Sequence, residues 1–293
     1  MFRLIALLAL ALALAVAALA VYVARGGEPW ATFRTLVLAH RAHAAPGALV
    51  TEADLAELPP AVARYLRLAG AVGRPRPAEY RARFRGRIRS GPDAPWMPVS
   101  VEQVSFTDPP ARFFFLRASM FGVPVLGLHH MEGAHARMRI LVAGLVPIVD
   151  AAGARMDRSE TVTLLNDLAV LAPAGLLSPA ITWREVSPDT VEATCTNGEH
   201  VVRAKLVFAP SGELVDFVSD DRWRASSDGR TFTRERWSTP LGTYRAFGAR
   251  RLAGRGAGRW HPTGAAPFDY LQLEMTDLGE DADSTAAILA APR

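Results

Sequence analysis

Three imidazoles and a carboxylate fall within seven residues, His129, His130, Glu132 and His135, and they carry the right atoms for a zinc ion. Strand geometry works against such a site. On an extended chain His129 and His130 point to opposite faces, and Gly133-Ala134 sets His135 beyond a turn. Asp220-Asp221-Arg222 offers an acid/base pair at the end of a strand, and equally an ordinary local ion pair. Gly254, Gly256 and Gly258 are spaced like a phosphate loop, but no strand-glycine-helix context and no lysine accompany them. The chain has no G-x-S-x-G elbow and no H-E-x-x-H pair. The most coherent polar spacing belongs to Glu160, Thr163, Asn166 and Asp167, with Glu160 and Asp167 two helical turns apart, about 10 Å along the axis.

The element that must carry this stripe is a helix over 157–172. Asp157 with Glu160 resembles a capping box at its start, and Pro173 stops it. Leu164, Leu165, Leu168, Leu171 and Ala172 form an apolar stripe on another side, which has to press on something. The partner is the curved inner face of the surrounding strands. If the polar stripe faces the mouth of that sheet, it supplies the few polar groups of an apolar pocket; if it faces water, it is only a solvated helix side.

The strands are legible from a period of two and from turn residues. Arg81, Arg83, Arg85, Arg87 and Arg89 alternate with Tyr80, Ala82, Phe84, Gly86 and Ile88, so five guanidinium groups share one face of the first strand. That row could follow a polyanion, or be a solvated face partly neutralised by Glu102. Strand-like runs follow at 99–106, 112–118, 123–131 and 136–142, and after the helix at 190–196, 199–208, 213–223, 231–237, 243–247 and 268–278. Asn197-Gly198 marks a tight hairpin, and Asp228-Gly229 a further turn. Ten to twelve antiparallel strands are too many to stay flat, so the sheet should curl.

Ahead of the sheet, Leu4–Val23 is an apolar run of 20 residues between Arg3 and Arg25, the length of a membrane-spanning helix. A cleaved signal peptide is the competing reading, and the run is long for one. The short basic tail before it suits export of the remainder, whereas Arg25, Arg34 and Arg41 on the other flank would hold the domain in the cytoplasm. The expectation is a single-pass protein of the cell membrane with its domain outside the cytoplasm. Trp30, Phe33, Val37 and His40 recur at helical steps, as a helix at the membrane surface or one packed on the domain. A second helical region, 51–68, carries Pro59-Pro60 in its middle and ends at Gly70.

The net charge is +4, and Lys205 is the only lysine among 33 basic residues. This describes fields and solubility, not a site. Cys195 is the only cysteine, which excludes an intrachain disulfide, a CxxC redox pair and a cysteine-rich zinc site.

The segments LPPAVARYLRLAG, PWMPVSVEQ, GLVPIVDAAGARMDRSETVTLLNDLAVLAPAGLL, FAPSGELVDFVSDDR and TPLGTYRAFG resemble a bacterial family of membrane-anchored proteins catalogued as a domain of unknown function. The similarity covers about residues 55 to 278 and implies no established activity. More distantly, the arrangement is similar to the half-barrel of periplasmic lipoprotein carriers, an analogy of fold alone.

Together these readings give an α+β, mainly antiparallel β protein, a curled half-barrel-like sheet around an embedded helix behind an N-terminal transmembrane helix. Its divisions are an anchor over 1–25, a juxtamembrane segment and linker over 26–50, one domain over 51–278 and a tail over 279–293. The leading function is a membrane-tethered module holding a lipid or other apolar ligand. Its walls would come from Phe113, Phe115, Leu164, Leu168, Leu271 and Leu273, and its polar mouth from Glu160, Asn166 and Asp167. One alternative is a hydrolase or lyase using Glu160 or Asp220 and Asp221, whose mark would be a carboxyl with a raised pKa. The other is an interaction protein docking an anionic partner on Arg81 to Arg89. No cofactor, metal or nucleic acid is implied.

Overall fold

The computed structural model describes residues 2–42, 45, 47–226, 230–280 and 282–290. Six strands come first: β1 (Glu79–Ile88), β2 (Met97–Thr107), β3 (Pro110–Met120), β4 (Val123–Glu132), β5 (His135–Val142) and β6 (Val146–Ala152). After a helix follow β7 (Ile181–Ser187), β8 (Thr190–Asn197), β9 (His200–Phe208), β10 (Leu214–Ala225), β11 (Phe232–Ser238), β12 (Leu241–Phe247), β13 (Arg250–His261) and β14 (Phe268–Gly279). The described residues join them in one 14-stranded antiparallel sheet, ordered β6-β5-β4-β3-β2-β1-β14-β13-β11-β10-β9-β8-β7, with β12 also on β13. Two meanders, each built of short hairpins, therefore meet at a centre supplied by the last two strands.

The sheet is a curled half-barrel, and the helix α4 (Ala154–Leu171) connects its two edge strands by crossing the concave face. At one end α4 touches β5 and β6, at the other β9 and β10. The wings close far enough for their hairpins to meet: Asn197 of the β8–β9 turn donates to the Gly133 carbonyl of the β4–β5 turn at 2.8 Å. Asn197-Gly198 is thus a hairpin turn, as its residue pair indicates, with Gly198 at φ +57°.

The convex face is covered as well. Helix α1 (Phe2–Ala24) leads through Gly26, at φ +94°, into α2 (Gly27–Arg41), which lies on β3 and β4 with Phe33 and Val37 fully buried. These pack with Val104, Phe106, Phe113, Phe115, Leu126 and Leu128, and with Ile288 and Leu289 of the last helix, α5 (Ala282–Ala290). Residues 27–41, expected within a juxtamembrane and linker stretch, are therefore a helix seated on the sheet. Farther on, α3 (Pro60–Leu68) starts on its second proline, where the missing N–H costs nothing.

Three strands escape a period-two reading. β6 and β7 are the edges, where Pro147 and exposed polar residues break the alternation. β13, in which Gly254, Gly256 and Gly258 break the alternation, lies at the centre of the sheet. Its glycines make room for neighbours: a Cβ on Gly258 would stand 2.7 Å from the Tyr270 ring. The expected turn at Asp228-Gly229 and part of the expected linker, residues 43, 44 and 46, lie outside the described residues, as do parts of the tail.

Candidate functional site

Helix α4 begins three residues before the expected 157 start, with Gly153 at its N-cap, so Asp157 does not act as a capping box. Its carboxylate instead accepts the Ala136 N–H at 2.7 Å and ties the helix to β5. The polar stripe of α4 neither lines an open mouth nor meets water: Glu160, Thr163, Asn166 and Asp167 are all buried against strands. It becomes one side of a charge cluster whose other side comes from the concave face.

Arg112 of β3 holds the cluster together. It donates from Nε to Asp167 Oδ2 at 2.6 Å and from Nη1 to Glu160 Oε2 at 3.4 Å. Gln103 of β2 gives a second donor to Asp167 Oδ2 at 2.7 Å, and the Thr163 hydroxyl donates to Glu160 Oε1 at 3.0 Å. Arg222 of β10 reaches Glu160 Oε1 at 3.4 Å, its guanidinium 4.2 Å from the Trp237 ring centre. His129 of β4 places Nε2 3.2 Å from the same oxygen.

Burial sets the charge states. It pushes the His129 imidazole down to about 4, helped by the nearby Arg112 and Arg222 and opposed by Glu160, so the ring is neutral near pH 7. Burial alone would raise the Glu160 carboxyl, but the His129 ring, both guanidiniums and the Thr163 hydroxyl hold it below its usual range. Burial likewise works against the Arg112 charge, and Asp167 and Glu160 outweigh it and keep it protonated. Two carboxylates thus face two guanidiniums around a neutral imidazole. Glu160 is an ionised, hydrogen-bonded acceptor and has none of the raised pKa that a general acid would show.

The strand alternation then defines what continues from this cluster. Along β3, Arg112 shares its face with Phe114, Leu116 and Ala118; along β2, Gln103 shares its face with Val101 and Val99; along β4, His129 shares its face with Val125. These side chains form an apolar strip with half-buried Phe84 and Ile88 of β1, Met120 of β3, Ile140 and Val142 of β5, and Leu271 and Leu273 of β14. Among the described residues, every member of the strip stands on a strand and none on a helix. α4 covers only the part of the concave face nearer the β4–β5 turn.

The expected wall residues separate accordingly. Phe113 and Phe115 lie on the convex face beneath α2, a correction of one residue in parity, with Phe114 and Leu116 inside instead. Leu164 packs with Met131, Val149 and Met156, and Leu168 packs in the larger core with Leu165, Ala169 and Leu206, so neither reaches the strip. Leu271 and Leu273 do line it. Glu160, Asn166 and Asp167 come together, as floor rather than mouth. Of the two residues that organise this floor, His129 stands out in the sequence only as part of a histidine cluster with the wrong geometry for a metal, and Arg112 only as a charge at the start of a strongly apolar strand.

The remaining candidates lie elsewhere. Asp220 and Asp221 sit at an irregularity of β10, where Asp220 pairs with Arg236 at 2.8 Å and Asp221 with Arg158 at 2.8 Å and Arg234 at 2.7 Å. The Arg236 hydrogen bond and charge hold the Asp220 carboxyl down. A carboxyl that burial does push up, to about 6, is Asp216, away from the cluster and bonded to the Phe217 N–H. His130 faces away from His129 along β4, and His135 is exposed at its turn. The arginine row lies on the convex face and is laced to its neighbours: Arg81 to Asp277 at 2.5 Å, Arg83 to Glu102 at 2.9 Å, Arg87 to Gln272 at 2.8 Å.

Residues 48–273 match the model of a family of unknown function, DUF6544. Among solved structures the chain is similar to a domain described as an outer membrane lipoprotein-sorting protein from Vibrio parahaemolyticus, at 11% identity and a TM-score of 0.38, covering 72% of this chain and 91% of that one. It is also similar to a DUF1329 family protein from Desulfovibrio piger ATCC 29098, at 10% identity and a TM-score of 0.33, covering 80% of this chain and 95% of that one. No curated protein matches the chain.

Proposed function

The chain belongs to this family of unknown function, and we propose that it is a membrane-tethered binding module that holds an apolar ligand, such as a lipid chain, along the apolar strip of its concave face. The observation that carries the reading is the strip itself: a continuous apolar inner surface built of strand side chains alone, buried at Val99, Val101, Phe114, Leu116, Ala118 and Val125 and half-buried along Phe84, Ile88, Leu271 and Leu273. An extended chain laid along Phe84, Ile88, Leu271 and Leu273 would bury their remaining apolar area together with its own, at about 25 cal/mol per Å². The charge cluster at the end of the strip nearer the β4–β5 turn pairs its own charges, so recognition rests on shape and apolar contact.

The tether is α1, 23 residues with a hydropathy that suits a bilayer, exposed along nearly its whole length. It keeps the strip within reach of membrane lipid, which suits a holding or presenting role better than transport over distance.

The test uses the full chain in liposomes containing a diacyl phospholipid with a photoactivatable group on one acyl chain. After irradiation, crosslinked peptides are mapped by mass spectrometry. Crosslinks are expected on β14 at Leu271 and Leu273 and on β1, and Leu273→Arg should remove them while leaving the labelling of α1. Crosslinks confined to α1 would overturn the reading.

A further inference from the structure

The root of α1 is fixed to one end of the sheet. Arg117 Nη1 donates to the Ala24 carbonyl at 2.8 Å and closes the last turn of α1 from its C-terminal, negative end. Val23 packs against Gly144, where an added Cβ would come within 3.1 Å of it. Gly144 lies in the β5–β6 turn, and the neighbouring turn at this end is that of β3 and β4. From this root α1 leaves the domain, its residues exposed up to Tyr22.

These two hairpin turns carry the apolar side chains least suited to water. Phe121 is 91% exposed and held at φ +52°, a backbone region that costs a bulky residue free energy with no packing to offset it. Val123, Leu145, Val146 and Ile148 stand exposed beside it. On the other side of the root, a crevice of about 330 Å³ between α1 and α2 is lined by Tyr22, Arg25, Trp30 and Arg34. Aromatic and arginine side chains beside the end of an apolar helix match the headgroup layer of a bilayer.

We propose that this end of the sheet is a membrane seat: the turns carrying Phe121 and Leu145 to Ile148 dip into the bilayer surface beside α1, with Arg25 and Arg34 at the level of the lipid phosphates. The occupant is lipid and not a protein partner, because the patch is continuous with the helix that itself meets lipid. A seated domain holds the strip at a fixed attitude, since Met120 and Val142, the strip's last members, directly precede these turns. Lipid would then reach the concave face without crossing water. The inference rests on α1 spanning the bilayer.

The experiment places single cysteines at Phe121, Leu145 and, as references, Leu12 in α1 and Arg184 on exposed β7, in the full chain reconstituted into liposomes with anionic phospholipid. Each carries an environment-sensitive fluorophore. Cys195 is buried and its thiol is pushed up to about 11, so it stays unlabelled in the folded protein. Probes at 121 and 145 should lose most of their emission to nitroxide-bearing lipid and little to aqueous iodide, following Leu12, with Arg184 showing the reverse. Probes at 121 and 145 that behave like Arg184 while Leu12 stays in lipid overturn the seat and leave the anchor standing. Water exposure at Leu12 as well overturns both. Loss of acyl-chain crosslinks on β14 with lipid-immersed turns would instead overturn the binding reading alone.

Discussion

Removing Arg112 tests whether the inner cluster is a balanced ionic unit. Arg112→Met keeps much of the side-chain length and deletes one of two guanidiniums that face Glu160 and Asp167. Arg112 is 6% exposed and Glu160 1%, so water cannot replace the lost charge. Two buried carboxylates would be left with Arg222, which reaches only Glu160, at 3.4 Å, while Asp167 keeps the neutral donors Gln103 and Asn166. Breaking a buried pair by removing one partner costs about 3–5 kcal/mol, against under about 1 kcal/mol for a surface pair. Urea unfolding of the full chain in mild detergent, followed by tryptophan emission, measures it. The deficit should shrink as pH falls, because a stripped carboxylate gains a raised folded pKa and regains stability by taking a proton. The double variant Arg112→Met with Asp167→Leu should recover most of the loss. A single-variant cost below about 1 kcal/mol, or a double variant as unstable as the single, refutes the argument.

Two further outcomes follow from the same geometry. His129 is held at about 4 in the folded protein against about 6.5 in an unfolded chain, so the unfolded state binds more protons between these values. Stability should therefore fall as pH drops from about 6.5 toward 4, by up to about 3 kcal/mol, and the lowered Glu160 carboxyl adds to the loss below that; His129→Gln should flatten the upper part of this slope in unfolding curves taken at several pH values. Phe115→Ala should cost about 3–5 kcal/mol in the same urea assay by emptying the space under α2, yet leave acyl-chain crosslinking of β14 unchanged, which would fail if Phe115 faced the strip.

What the sequence discloses depends on how many faces of an element are buried. β1 is readable to the residue because its two faces differ, arginine on one and Tyr80, Ala82, Phe84 and Ile88 on the other. β3 is not, since Arg112-Phe113-Phe114-Phe115-Leu116 is apolar at both parities, α2 covering one face and the concave strip lying on the other. Period two then fixes the alternation without saying which set is inside, and the choice of Phe113 and Phe115 as walls falls on the wrong side. α4 shows the same limit: its existence and its polar stripe are legible, while buried Arg112, Gln103 and Arg222 and half-buried His129, which turn that stripe into a floor, come from strands far along the chain. β13 is hidden for a different reason, its glycines being chosen for the bulk of Tyr270 and Leu241 across the ladder rather than for strand propensity.

The strand order also bears on how the chain is made. β1 pairs on one side with β2 and on the other with β14, the last of the described strands to leave the ribosome, so the β14-facing edge of β1 stays bare while the nearly 180 residues between the two strands are synthesised. An unpaired edge of that length invites pairing with the same edge of another nascent copy. Four arginines in alternate positions along β1, with Arg89 just past its end, make two such edges repel, and the later partners of Arg81 and Arg87, Asp277 and Gln272, arrive on β14 itself. The row thus sets two half-made sheets against each other at this edge until β14 covers it, bringing Asp277 to Arg81 and Gln272 to Arg87.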